Sequence, residues 1–187
     1  MKTIRKSLLV LVPVLGLLGS CNKEEQSVAP TIDNEAITTA TLRLTNKANA
    51  TDVVTATVNK LNATPDLSKD TLHLKANAAY SGQILLADST QTPATDAAAE
   101  IKERQNIHLL VYTYTPATGG ALTVTVTDKD TNPAPGPYPV GLAFDVTTSA
   151  VGRGKLNVVL RHQPNSKNGT AAPGSTDLDT NFGVVIQ

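Results

Sequence analysis

The chain is poor in the residue types that build several common kinds of binding site. Aromatic residues make up only 3% of its 187 residues, and it has no tryptophan. Platforms that grip single-stranded nucleic acids stack bases on aromatic side chains, so such platforms are nearly absent here. Lysine and arginine number 16, as do aspartate and glutamate, which leaves a formal net charge of zero. We therefore expect no nucleic-acid partner.

Cysteine is almost missing as well, and long apolar runs are absent. The single cysteine, Cys21, excludes an internal disulfide framework and a cysteine-rich metal cluster. The mostly apolar run over residues 8–18 is too short for a transmembrane helix, which needs about 20 such residues. Because Lys2, Arg5 and Lys6 precede it, the run is typical of a signal peptide.

The end of this run resembles a bacterial lipobox. Leu18, Gly19, Ser20 and Cys21 supply an aliphatic residue, two small residues and the cysteine that the motif needs. The resemblance implies cleavage before Cys21 and a lipid on its sulfur, and several acyl chains would anchor the protein durably to a membrane. We predict a lipoprotein signal peptide over residues 1–20 and a lipidated, flexible tether over residues 21–34. An ordinary secretory signal with a coincidental cysteine is the alternative.

A short charged motif follows the lipobox directly. Lys23, Glu24 and Glu25 resemble the export signal that follows the lipidated cysteine in surface lipoproteins of the Bacteroidota. The resemblance implies that the protein is held on the outer membrane and exposed at the cell surface. A solvated run of charges is the alternative interpretation.

Residues 35–187 alternate between apolar residues and threonine, which predicts β-strands. Leu122, Val124 and Val126, for example, alternate with threonines, so that one face of the strand is buried and the other is wet. About nine such strands predict an all-β fold, an antiparallel two-sheet sandwich of Ig-like or Greek-key type. The predicted core is the following set: Leu42, Leu44, Leu72, Leu74, Val124, Val126, Leu142, Phe144, Val158, Leu160, Val184 and Ile186.

Four local features qualify this pattern. Asp96 is a candidate N-cap for one short helix over residues 97–105, which would cross between the sheets. The apolar stretch over residues 107–114 predicts a central strand, and residues 116–120 predict a hairpin loop. Residues 163–181 are rich in Gly, Pro, Ser, Asn and Thr and predict a long loop.

The chain carries few groups that suggest chemistry. Nothing in the spacing of His73, His108 and His162 makes the three histidines converge on a metal or haem, so we expect ordinary surface or strand-end histidines. Asp128 and Asp130 alternate as the oxygens of calcium loops do, but the glycine and glutamate of an EF-hand are missing. No nucleophile elbow or HExxH motif occurs, so we predict a non-enzymatic protein without a cofactor.

Two further sets of residues are candidate sites. Arg161, His162 and Gln163 stand at a corner before the predicted long loop and are candidate binding residues. Thr71 and Ser89 follow aspartates, in a motif that resembles the O-glycosylation acceptor of the Bacteroidota.

Six short segments together carry a resemblance to a known family, and they are residues 35–39, 99–103, 127–130, 139–142, 161–164 and 177–186. They resemble those of small Bacteroidota lipoproteins that are often encoded beside TonB-dependent outer-membrane receptors. The family is sometimes labelled a type 1 periplasmic binding fold, but this chain has neither the length nor the helices of that α/β architecture. The resemblance implies a surface-anchored binding or accessory module that partners an outer-membrane receptor. A lipoprotein that captures haem, a metal or a metallophore, and an adhesive or structural surface glycoprotein, are the alternatives.

Overall fold

The computed structural model of the chain describes residues 36–60 and 66–187. The predicted signal peptide, the predicted lipidation site Cys21 and the predicted export signal Lys23, Glu24 and Glu25 lie outside the described residues, so these stay predictions. The described residues all belong to one compact unit that spans Asp33–Gln187. None of the described helices has the length and apolar character that crossing a membrane requires.

The described chain folds into strands joined by turns, with one short α-helix. The α-helix, α1, spans Ala97–Glu103, and a single 3-10 turn follows at Gln105–Ile107. The strands are β1 (Thr39–Asn46), β2 (Val53–Asn59), β3 (Thr71–Leu74), β4 (Ala79–Asp88), β5 (Thr95–Asp96), β6 (His108–Gly119), β7 (Leu122–Val126), β8 (Ala143–Thr148), β9 (Gly152–His162) and β10 (Ser175–Ile186).

The strands form two sheets, which confirms the predicted all-β sandwich. The larger sheet has the order β2-β1-β4-β8-β7, with β5 paired to β4, and the smaller sheet has the order β3-β10-β9-β6. All pairings are antiparallel except that of β3 with β10, which is parallel. Along the chain, β3 of the smaller sheet comes after β2 and before β4, which both belong to the larger sheet. The chain therefore crosses to the smaller sheet and returns.

Alternation along each strand builds the core. In β1, Ala40, Leu42 and Leu44 are buried, while the side chains between them face outward. On the outer face Thr41 lies opposite Thr57 of β2, and their hydroxyl oxygens are 2.9 Å apart, so the wet face carries a cross-strand hydrogen bond. The inner faces of both sheets meet in one apolar cluster.

The predicted core is confirmed at nine of its twelve positions, where the side chains are buried. Val124, Val126 and Leu142 are only half-buried, because β7 is an edge strand of the larger sheet and Leu142 lies just before β8. Side chains outside the predicted set complete the core, among them Tyr80 of β4 and Ile101 of α1. Tyr80 is tolerated there because its hydroxyl oxygen accepts a hydrogen bond of 2.8 Å from the Lys75 amide.

The predicted helix is confirmed in its position and its cap. A carboxylate oxygen of Asp96 accepts a hydrogen bond of 3.1 Å from the Ala99 amide, which satisfies one of the free donors of the first turn. Glu100 and Arg104, four residues apart on the same side of the helix, form an ion pair at 3.3 Å. The helix joins β5 of the larger sheet to β6 of the smaller one, so it crosses between the sheets as predicted.

Three local predictions are wrong. Residues 107–114 do not form a central strand, since β6 is at the edge of the smaller sheet. The segment between β7 and β8 covers this edge, where the Leu110 amide donates to the Val140 carbonyl at 2.7 Å. Residues 116–120 do not form a hairpin loop either, because β6 and β7 belong to different sheets.

The third wrong prediction is the length of the loop after β9. It covers residues 163–174, because β10 begins at Ser175 and pairs with β9 from its first residue. Residues 175–181 are mostly polar and therefore resemble a loop in composition. They form a strand because β9 offers them a partner, and Leu178 and Thr180 still point into the core.

The core assignment predicts a large difference between two substitutions. Leu160→Ala removes a fully buried side chain of β9 and should lower the free energy of unfolding by about 2–5 kcal/mol. Thr125→Ala changes an exposed position of β7 and should stay within about 0.5 kcal/mol. Urea unfolding followed by circular dichroism measures both. The opposite ranking would refute the core assignment.

Candidate functional site

Three long connections of the described chain gather at one end of the sandwich, here called the loop end. They are α1 with its following turn, residues 127–142 between β7 and β8, and residues 163–174 between β9 and β10. The antiparallel pairings carry the turns at residues 47–52, 75–78, 120–121 and 149–151 to the opposite end. Loops held on a rigid scaffold are where binding residues concentrate, so the loop end is the place to search for a site.

Two histidines meet at the loop end of the smaller sheet. His108 is the first residue of β6 and His162 the last residue of β9, and the two are direct partners in the antiparallel register. Their rings stack with centroids 4.9 Å apart and planes inclined by 19°. Both side chains are buried. The expectation that the histidines do not converge is therefore wrong for this pair, although His73 of β3 is exposed and lies apart from them.

A buried carboxylate joins the histidine pair. The register between β10 and β9 shifts between Thr176 and Leu178, so Asp177 sits at a β-bulge, a feature that re-aims a side chain. The Asp177 side chain is 0% exposed, and its Oδ2 lies 3.8 Å from Nε2 of His108. One ligand atom each of His108, His162 and Asp177 lies within 4.8 Å of the other two. Three neighbouring strands thus bring two imidazoles and one carboxylate together.

Hydrogen bonding sets the tautomer of His108. Its Nδ1 lies 3.1 Å from the carbonyl oxygen of Arg104, and since a carbonyl can only accept, Nδ1 carries the hydrogen. Burial lowers the pKa of His108 to about 4, and the positive charges of Arg104 and Lys167 act in the same direction. The imidazole is therefore neutral at pH 7, and its Nε2, which carries no hydrogen in this tautomer, lies 3.8 Å from Oδ2 of Asp177.

Arg104 reaches the second histidine. Its guanidinium nitrogen Nη2 is 3.4 Å from Nε2 of His162, and because guanidinium only donates, His162 is the acceptor in this contact. The same guanidinium group pairs with the carboxylate of Glu100. Arg104 therefore links the end of α1 to the histidine pair through its side chain and its carbonyl.

A buried ion pair ties the loops of this end together. Nζ of Lys167 lies 2.8 Å from Oδ2 of Asp130 and donates to the Gln105 carbonyl at 2.8 Å. Both charged side chains are buried, at 2% and 0% exposure. Burial lowers the pKa of Lys167 against the opposing effect of Asp130. Burial acts to raise the pKa of Asp130, but hydrogen bonds from Lys167, Tyr138 and Asn132 lower it.

The two aspartates that were candidate calcium ligands are occupied by donors of the protein itself. Oδ1 of Asp130 accepts from the Tyr138 amide at 2.8 Å, in addition to its bond with Lys167. Asp128 accepts from the amides of Gly141 and Leu142, at 2.7 and 3.1 Å. Gly141 has a positive φ of 97°, which favours glycine at this turn. Calcium binding by Asp128 and Asp130 stays a prediction, but both carboxylates already hold the loop.

Of the candidate binding residues Arg161, His162 and Gln163, one lies in the histidine cluster and the other two hold the loop after β9. His162 belongs to the histidine pair. The guanidinium of Arg161 donates to the carbonyls of Pro173 and Gly174, at 3.1 and 2.6 Å. The buried amide of Gln163 donates to the carbonyls of Thr170 and Pro173, at 2.8 and 3.0 Å. Arg161 and Gln163 therefore close the loop on itself, and their role as ligand contacts stays a prediction.

The candidate glycosylation residues lie away from the loop-end cluster. The hydroxyl of Thr71 is half-buried in β3 and donates to the Leu67 carbonyl at 2.8 Å. Ser89 is exposed after β4, with its hydroxyl 3.1 Å from that of Thr39. Their glycosylation stays a prediction, for which Ser89 is the more accessible residue.

Sequence reasoning missed Asp177 and the convergence of His108 with His162. The alternation along β9 puts His162 on the same inner face as Val158 and Leu160, but the pairing of β6 with β9 is a long-range property. Asp177 lay in a stretch interpreted as loop, and its inward aim depends on a β-bulge with no sequence signature of its own.

No protein-family model, no curated protein and no solved structure matches the chain. The function must therefore follow from the geometry of the loop end and from the sequence motifs.

The buried ion pair yields a prediction on stability. Lys167→Ala removes the cation that offsets the buried Asp130 carboxylate and should cost about 3 kcal/mol of unfolding free energy. Lys47→Ala is the matched control, because Lys47 pairs with Asp145 at 2.7 Å on the exposed surface and should cost less than about 1 kcal/mol. Urea unfolding compares the two variants. Equal losses would mean that the buried pair does not hold the loops.

Proposed function

We propose that the chain is a non-enzymatic binding lipoprotein, anchored in the outer membrane through Cys21 and exposed at the cell surface. The loop end of its sandwich is the binding end, and an outer-membrane TonB-dependent receptor is the partner. The observation that supports the binding role most directly is the gathering of three long connections at one end, held in place by buried polar contacts.

The contacts between the loops support a preorganised surface. The Lys167–Asp130 pair joins residues 163–174 to residues 127–142, and the Lys167 bond to the Gln105 carbonyl adds the segment after α1. Asn106 adds a second link, since its Oδ1 accepts from the Thr131 amide at 2.9 Å. A surface whose loops are already fixed loses little conformational entropy on binding.

The way the polar groups are used supports binding rather than catalysis. Arg161, Gln163, Asp128 and Asp130 each hydrogen-bond backbone groups of the loops. A general acid, a general base or a nucleophile needs a polar atom within reach of a substrate. These side chains hold the loops in place instead.

The lipobox and the charged motif support the location. Cys21 is the only cysteine of the chain and stands where the lipobox needs it. The receptor as partner rests on the resemblance to lipoproteins encoded beside such receptors. The metal-capturing alternative is favoured by one specific observation, the cluster of His108, His162 and Asp177.

Location is tested with two variants and a control. Cys21→Ala should move the protein from the membrane to the soluble fraction, since the lipid is the anchor. Replacing Lys23, Glu24 and Glu25 with alanine should leave it in the membrane but protect it from protease added to intact cells. Replacing Gln26, Ser27 and Val28 with alanine is the control and should leave cleavage unchanged. A Cys21→Ala protein that resists carbonate extraction, or equal cleavage of all forms, would contradict the location.

The binding end is tested by photo-crosslinking on intact cells. A photoreactive residue in place of Ala172, which is exposed in the loop after β9, should capture the receptor. The same residue in place of Ala50, which is exposed in a turn at the opposite end, should not capture it. Mass spectrometry identifies the captured protein. Capture of the receptor from position 50 but not from position 172 would place the binding surface at the end opposite the loop end and contradict the proposal. Capture from neither position would refute the partnership with the receptor.

A further inference from the structure

We infer that His108, His162 and Asp177 form a binding site for one divalent transition-metal ion, and Zn²⁺ is the ion whose ligand preferences they match. The inference deepens the proposed function, because it gives the binding lipoprotein a ligand class. It rests on the positions of three side chains in neighbouring strands.

The donor set has the composition that such ions select. Imidazole nitrogen suits zinc, copper, nickel and iron, whereas sites made of oxygen alone suit magnesium and calcium. Two histidines and one carboxylate are a known ligand set for zinc, and they leave a fourth position for water or for a donor from a partner. His108, His162 and Asp177 provide this set.

The distances fit an ion between the ligands better than they fit a direct hydrogen bond. Nε2 of His108 and Oδ2 of Asp177 are 3.8 Å apart, which is beyond hydrogen-bond length. Two ligands at about 2.0–2.1 Å from a tetrahedral ion lie about 3.4 Å from each other. No pair of the three ligand atoms is more than 4.8 Å apart. Binding therefore requires the three ligand atoms to move closer together by rotation of their side chains. His162 would also have to give up its contact with Arg104.

The surroundings of His108 resemble those of a metal ligand. Metal-binding histidines usually donate their second ring N–H to a carboxylate or a backbone carbonyl, which fixes the tautomer and the ring orientation. His108 Nδ1 donates in this way to the Arg104 carbonyl, so that Nε2 is the nitrogen facing Asp177. The strand register fixes the backbone of His108 and His162, and the bulge fixes that of Asp177.

Haem fits the site less well than a bare ion. The two imidazole rings stack with their centroids 4.9 Å apart, so they cannot lie on opposite faces of a macrocycle without a large separation.

The test uses the full-length protein, purified in detergent without a polyhistidine tag and stripped of metal with a chelator. Titration with Zn²⁺, followed by calorimetry, should give one bound ion per chain, and Zn²⁺ should raise the melting temperature. Co²⁺ should give a visible absorption band at the same stoichiometry. These measurements need no substitution, and a protein that binds neither ion would overturn the inference.

Variants then assign the ligands. His108→Gln, His162→Gln and Asp177→Asn should each weaken Zn²⁺ binding by more than about 100-fold, because even the loss of an outer-shell partner costs about 10–100-fold. His73→Gln is the matched control, since His73 is exposed on β3, and it should bind as the parent does. Circular dichroism without metal identifies a variant that has unfolded, and conclusions are drawn only from folded ones.

Two results would refute the assignment. If folded variants of the three ligands bind Zn²⁺ as tightly as the parent, the ion lies elsewhere and the cluster is only a polar part of the core. If His73→Gln lost as much Zn²⁺ affinity as His108→Gln, the conclusion would be the same. The location and crosslinking experiments contain no added metal, so the proposed function and the metal site can fail separately.

Discussion

The register of β9 with its two neighbours is the constraint on which both the core and the candidate site depend. β9 lies between β6 and β10 and pairs along its whole length with both. Its inward side chains Leu156, Val158 and Leu160 are fully buried, so a slip by one residue would turn all three to the outside. The same register places His162 opposite His108. The apolar core thereby fixes the geometry of a polar cluster at the end of the sheet.

The polar interior of the loop end is stabilised differently from the core. A buried charge is costly unless it is paired and hydrogen-bonded. Lys167 and Asp130 meet this condition with each other and with backbone groups. Because the partners come from separate connections of the chain, each contact orders one loop against another. The loop end is thus held in one conformation, which is what a preorganised binding surface requires.

In our proposal the chain divides its tasks between two parts. The first residues carry the motifs on which the proposed location rests, namely a predicted signal peptide, a lipobox-like cysteine and a charged motif. The sandwich carries the proposed binding role, with three long connections and a cluster of nitrogen and oxygen donors at one end. A metal bound by His108, His162 and Asp177 would link three strands of one sheet, so that occupancy of the site and the order of the loop end would support each other.

The sequence by itself determined the all-β class, most of the core and the helix with its Asp96 cap. These properties follow from local patterns: a period of two along each strand, and a capping residue next to the turn that it caps. Only the tertiary structure decided that β6 is an edge strand, that residues 175–181 belong to β10, and that His108, His162 and Asp177 converge. Each of these depends on which distant segment a strand pairs with. Loop closure and packing settle such pairings over the whole chain, so no local pattern encodes them.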